Sequence, residues 1–141
     1  GPIFAFVHIL APHSDHTIFN ADGALELSSS VDPALGNELQ YLNKRTLAAV
    51  QAIIAIKNLP IIIIQGDHGI DTEVRMAILN AYYLPNEGAK SLYPTITPVN
   101  SFRLVLNTYF GQSLPLLPDV SYYSTYDDMY NFTEVRYPCD P

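Results

Sequence analysis

Cysteine is nearly absent from this chain. Cys139 is the only one in 141 residues, so an internal disulfide is impossible and a disulfide-framed fold is excluded. Basic residues are scarce as well: seven Lys and Arg stand against fourteen Asp and Glu, a net charge of −7. That balance argues against nucleic acid or anionic lipid as the main partner, because both call for a positive surface. Charged residues make up only 15% of the chain and apolar ones 48%, which excludes intrinsic disorder and is in keeping with one globular domain, residues 1–141, with a sizeable core. No apolar run is long enough to span a bilayer, and the first of them, Ile3-Phe4-Ala5-Phe6-Val7, lacks the basic segment that opens a signal peptide. There is no Gly-x-Ser-x-Gly elbow, no Gly-x-Gly-x-x-Gly after a strand and no phosphate-binding loop, so serine hydrolases of that type and dinucleotide enzymes recede. Internal repeats and low-complexity blocks are missing too.

The chain turns on the stretch Ile61-Ile62-Ile63-Ile64-Gln65-Gly66-Asp67-His68-Gly69. Four consecutive β-branched apolar residues predict a strand buried on both faces, as in a parallel sheet. A carboxylate and an imidazole follow between two glycines. Adjacent strand residues point to opposite faces, but glycine relaxes the backbone, so Asp67 and His68 can converge just beyond the carboxyl end of the strand, where open α/β sheets place ligands. An oxygen and a nitrogen donor side by side suit a divalent ion such as zinc or manganese. The plainer reading is a loop whose Asp caps the next helix and whose His packs nearby.

Taken in order, residues 3–10 read as a core strand, apolar except for His8, which in such a position is more often a satisfied core histidine than a ligand. The chain therefore reads as a piece of a longer protein, with any membrane anchor outside it. Ala11-Pro12-His13-Ser14-Asp15-His16 is turn-rich and holds two more histidines, with His13 after Pro12 better placed for chemistry than loop residues Asp15 and His16. Asn20-Ala21-Asp22-Gly23 is a turn signal within a surface excursion. Asp32 as N-cap and Pro33 as first helical residue open a long helix running to about Lys57. Strand 3–10, this helix and strand 61–65 make a βαβ unit with a right-handed crossover. Residues 77–84 read as a further strand ending at Pro85. Thr97-Pro98 opens a helix that ends at Gly111. The tail from Tyr122 to Tyr137 is dense in tyrosine and has little period. It reads as an irregular segment packed on the surface, or as a peptide- or glycan-binding face. Asn131-Phe132-Thr133 matches the glycosylation sequon.

A strand ending in His-x-x-x-Pro-His, a long helix and an apolar strand ending in Asp67-His68-Gly69 resemble the alkaline phosphatase superfamily, in particular its sulfatase-like branch that includes lipoteichoic acid synthases. Further runs, Leu79-Asn80-Ala81-Tyr82-Tyr83-Leu84-Pro85, Pro98-Val99-Asn100-Ser101-Phe102-Arg103 and Leu117-Pro118-Asp119, are similar to uncharacterised sulfatase-like proteins with membrane-spanning segments ahead of the hydrolase domain. The resemblance implies an α/β fold with a mostly parallel sheet flanked by helices, a partial alkaline phosphatase-like fold. It implies a manganese or zinc ion on Asp67 and His68, since sulfatases proper carry Asp-Asn there with calcium. It also implies a phosphate- or sulfate-contacting histidine, with His13 as the better match and His16 as its rival. The nucleophile and the first metal-binding aspartate of the family lie on earlier strands, ahead of Gly1. Asp71, Glu73 and Arg75 are either supporting groups around the metal or solvent-facing loop charges.

Two function classes follow. In the first, the chain is the C-terminal part of a metal-dependent hydrolase or transferase acting on phosphate or sulfate esters, its parent membrane-anchored and working on the extracytoplasmic face. Alone, such a piece holds half a site. In the second, it is a non-catalytic α/β binding or interaction module whose tyrosine-rich tail makes the contacts. In either case a truncated sheet exposes an edge, which invites self-association.

Overall fold

Asn20 makes the first turn of the chain. Its Oδ1 accepts the backbone N–H of Asp22 at 3.1 Å and of Ala24 at 3.0 Å, its carbonyl accepts Gly23 N–H at 2.9 Å, and Gly23 takes a φ of 84° that glycine tolerates. The flanking segments pair antiparallel as β1 (Thr17–Phe19) and β2 (Leu25–Ser28). The computed structural model describes residues 3–13, 17–28, 31–56, 58–69 and 74–135. By contact density the chain divides into two units, residues 1–57 and 58–141.

In the first unit the long helix α1 runs over Val31–Ile54, beginning one residue ahead of the expected Asp32 cap. It holds the hairpin at two positions one turn apart. The buried Glu38 accepts Phe19 N–H at 3.2 Å through Oε1, and Tyr41 packs its ring 5.3 Å from that of Phe19.

The expected parallel sheet is not formed. Residues 3–10 are neither strand nor helix and lie exposed, Ile3 at 92% and Phe6 at 80%; His8 is exposed beside the Phe6 ring, 6.4 Å away, and is no core histidine. Without this strand there is no βαβ unit and no partial alkaline phosphatase-like sheet. All strand pairs among the described residues are antiparallel and two-stranded. The physical reason is that an apolar run becomes a strand only where a neighbour accepts and donates its backbone hydrogen bonds. No described residues supply that ladder to 3–10.

In the second unit, β3 (Ile62–Gln65) pairs antiparallel with β4 (Asn80–Tyr83), Gln65 opposite Asn80 and Ile62 opposite Tyr83. Alternation then places Ile61, Ile63 and Gln65 with Asn80, Tyr82 and Leu84 on one face. Against that face packs α2 (Pro98–Phe110), whose Leu104 and Val105 join Leu84 in a small buried core. β3 is half-buried along its length, where burial on both faces is the expectation. Helix α2 matches its sequence signals at both ends: Pro98 is the first helical residue, and Gly111, at φ 63°, donates its N–H to the Leu106 carbonyl. The tail also departs from expectation. In place of an irregular segment, β5 (Ser121–Tyr123) and β6 (Thr133–Val135) form an antiparallel pair, Tyr122 opposite Glu134.

Two asparagines on α2 tie down the Pro-rich stretch that follows it. Asn100 donates to the Leu117 carbonyl at 2.8 Å and accepts Leu117 N–H at 2.9 Å. Two turns on, Asn107 does the same with Leu114, at 2.8 and 2.7 Å. Each amide side chain thus stands in for a strand neighbour, satisfying backbone groups that a chain broken by Pro115 and Pro118 cannot pair in a ladder.

Candidate functional site

The β3–β4 ladder continues one rung past Gln65, with Gly66 N–H donating to the Leu79 carbonyl at 2.9 Å. The backbone then leaves the sheet and turns through Asp67, His68 and Gly69. Asp67 Oδ1 accepts His68 N–H at 3.0 Å, and Gly69 N–H closes the turn on the Arg75 carbonyl at 2.6 Å. His68 Nδ1 lies 2.7 Å from the Gly69 carbonyl oxygen. A carbonyl oxygen only accepts, so Nδ1 carries a proton, and in the neutral ring the Nε2 lone pair is presented outward. Nε2 stands 3.8 Å from Asp67 Oδ2, with the His68 side chain 40% exposed and that of Asp67 82%.

This donor set fits part of a metal site. Ligating histidines typically give their other ring N–H to a carbonyl or carboxylate, as His68 does. Bonds of about 2.0–2.2 Å from one ion to an imidazole nitrogen and to a carboxylate oxygen span up to about 4 Å between the donors, and the observed separation lies within that reach. Two ligands are fewer than a complete site needs. No group of three His, Cys, Asp or Glu side chains placed to hold an ion occurs among the described residues.

Among the described residues of the second unit, no other residue predicted from sequence joins this pair as a ligand. His13 is exposed, makes an isolated β-bridge and belongs to the first unit. His16, Asp71, Glu73 and Cys139 lie outside the described residues. Arg75 meets the turn through its backbone carbonyl. Among the described residues no helix is long and apolar enough to cross a membrane.

A second polar cluster escaped the sequence reading. Asp119 accepts Thr97 N–H and Thr97 Oγ1–H at 2.7 Å each, Tyr93 O–H at 2.6 Å and an Asn100 amide N–H at 3.1 Å. Thr97 does not cap α2 with its own side chain; Asp119 instead anchors that N-cap residue through its N–H and hydroxyl, and its carboxylate at the start of the helix complements the helix dipole. Burial pushes the Asp119 pKa upward, but the four donors outweigh it and hold the carboxyl below its ordinary value. Tyr93 moves the other way, raised to about 12 by burial and then by the hydrogen bond to Asp119. The Thr-Pro signal marks where the helix starts, but nothing local to it names a partner 22 residues later.

Compared with protein-family models, with curated proteins and with solved structures, the chain matches none.

Proposed function

We propose that the chain is part of a metal-dependent hydrolase or transferase acting on phosphate or sulfate esters, with Asp67 and His68 as two ligands of a manganese or zinc ion. The observation that carries this reading is the His68 ring, whose Nδ1 is committed to Gly69 so that Nε2 faces the Asp67 carboxylate. The likeness of the Asp-His-Gly turn and the runs around it to sulfatase-like proteins points the same way. A bound divalent ion supplies Lewis-acid polarisation of the ester oxygens. The Asp67 carboxylate adds negative charge that favours the cation, and Gly69 orients the imidazole. The nucleophile and the remaining ligands come from residues outside the Asp67–His68 turn, in a parent anchored to the membrane and working outside the cytoplasm.

Calorimetric titration with zinc tests the ligand assignment. Asp67→Ala and His68→Ala should each weaken zinc binding at least tenfold, while melting temperatures without metal stay within about 2–4 °C of the native chain, because both side chains are substantially exposed. Equal affinity in all three proteins rejects the pair as ligands.

A second reading, a non-catalytic interaction module, has its own observation. The β5–β6 hairpin exposes Tyr126 at 93%, Tyr130 at 86% and Phe132 at 63%, more aromatic surface than folding requires. Under this reading Tyr126→Ser with Tyr130→Ser abolishes partner capture and Asp67→Ala does not.

Self-association belongs to both readings. Residues 3–10 expose Ile3, Phe6, Val7, Ile9 and Leu10 without an intervening charge, and among the described residues β3 is paired only to β4. Burying each large side chain is worth about 1.5–3 kcal/mol, and nothing in the run guards it against pairing. Light scattering should show mass rising with concentration, and Phe6→Lys with Ile9→Lys should return it to that of a monomer. A native chain that stays monomeric across the same range sinks this idea.

A further inference from the structure

The face of β3 and β4 that meets α2 begins apolar and ends polar. Ile61, Ile63 and Leu84 give way at its far end to Gln65 and Asn80, with Tyr82 between them. The alternation of the strand asks for another aliphatic residue at position 65, and the sequence places an amide there. Both N–H bonds of that amide are engaged. Gln65 Nε2 donates to Asn80 Oδ1 at 2.9 Å and to Ser101 Oγ at 2.6 Å. Ser101 lies in the first turn of α2 and is completely buried, and its hydroxyl lies 2.6 Å from Tyr82 Oη. Asn80 in turn donates to the Ile96 carbonyl at 3.2 Å, just ahead of the same helix. The last residue of β3 is therefore bolted to the start of α2 by its side chain, two residues before Asp67.

We propose that Gln65 and Ser101 are positioning residues for the Asp67–His68 turn, holding its first end as the Gly69–Arg75 hydrogen bond holds its second. A side chain placed here only to fill the core has no need of two polar partners, since an aliphatic pair of similar volume is close to neutral in stability. What the amide adds is direction. With Gln65 fixed by hydrogen bonds to both Asn80 and Ser101, Gly66 stays on its rung with Leu79 and the turn leaves the sheet at one angle. That angle sets the approach of His68 Nδ1 to the Gly69 carbonyl. Groups that orient a ligand in this way typically matter about 10- to 100-fold in metal affinity. The inference rests on the reading of Asp67 and His68 as ligands where metal affinity is concerned, and stands apart from it where the geometry of the turn is concerned.

The test uses the whole chain in four forms: native, Gln65→Met, Ser101→Ala and Tyr109→Phe. The last is the control, because Tyr109 lies on the same helix and donates to the Pro85 carbonyl at 2.6 Å without touching the Gln65 cluster. Circular dichroism selects the folded variants, and either Gln65→Met or Ser101→Ala suffices. Nitrogen-15 spectra of the metal-free protein should show His68 held with its proton on Nδ1 in the native chain and in Tyr109→Phe. In Gln65→Met and Ser101→Ala they should show a mixture of tautomers, with Gly69 amide exchange at least tenfold faster. Zinc titrations should show a loss of at least tenfold in the same two variants only. The proposal is overturned if their His68 and Gly69 signals match the native ones, or if Tyr109→Phe moves them as far. A native chain that takes up no zinc removes the metal reading, and the His68 spectra then decide the positioning role alone.

Discussion

Asp119→Ala will destabilise the 58–141 unit by about 3 kcal/mol or more, because hydrogen bonds to a charged acceptor are worth about 1.5–3 kcal/mol each and the donors left behind lose their partner. Four donors converge on this one carboxylate. Without it, the Thr97 backbone N–H and hydroxyl at the start of α2 lose their acceptor, and so does the Tyr93 O–H, whose oxygen still accepts the Asn100 amide at 3.0 Å. Asn100 keeps its two bonds to Leu117 and limits the damage. Asp119→Asn retains the shape and one acceptor oxygen and should fall between the native chain and Asp119→Ala. Urea unfolding followed by circular dichroism measures all three, and an Asp119→Ala midpoint equal to that of the native chain discards Asp119 as the anchor of the α2 N-cap.

The same cluster predicts the dependence on pH, with opposite signs at its two ends. The Asp119 carboxyl is held below its ordinary value of 3.8. Its contribution is therefore complete above that value and is lost as the pH falls towards and through the depressed native pKa. Tyr93 is raised from 10.0 to about 12. Its contribution is complete below 10.0 and disappears as the pH rises through about 12. Stability of the native chain should form a plateau between these limits. In Asp119→Asn the acid slope should be shallower, and ultraviolet titration of the phenolate should show Tyr93 ionising at lower pH, since the charge that opposes it is gone.

The two glycines of the site turn should behave very differently. In Gly69→Ala the new Cβ would overlap the Val74 carbonyl oxygen, with the Val74 carbonyl carbon at 3.0 Å and the Ala77 carbonyl oxygen at 3.3 Å. All three are backbone atoms, so no side-chain rotation relieves the overlap and the turn must open. The Gly69–Arg75 hydrogen bond is then lost and the acceptor for His68 Nδ1 moves with it. We expect zinc affinity to drop about 100-fold or beyond detection, the upper end of what losing a ligand's supporting partner does. At Gly66 the nearest atom to a new Cβ is the Leu79 nitrogen at 3.6 Å, an ordinary contact. Gly66→Ala should lie within about 1 kcal/mol of the native chain and bind zinc as it does. If both substitutions behave alike in titration, the turn is not held by close approach at Gly69.

The sequence by itself determined what is local. Pro98 and Gly111 mark the two ends of α2 because each acts on its own backbone: one has its φ preset, the other reaches a positive φ freely. Asn20 and Gly23 mark the first hairpin for the same reason. The run of four isoleucines announces a strand, and Asp67 and His68 are visible as adjacent donors at its end.

Only the tertiary structure decided which partner each element takes. A β-branched run has the same propensity whether its neighbour is parallel or antiparallel, so β3 did not disclose that it pairs with β4 and that residues 3–10 join no strand pair among the described residues. The glycines pointed to an unusual backbone angle in the site turn. Neither Gly66 nor Gly69 has a positive φ, and what Gly69 supplies is room against Val74, a contact no spacing encodes. Asp119 anchoring Thr97 and Ser101 meeting Gln65 join residues 22 and 36 positions apart. Such pairs are chosen by how the helix lies on the hairpin, since a hydrogen bond depends on distance and direction in space and not on separation along the chain.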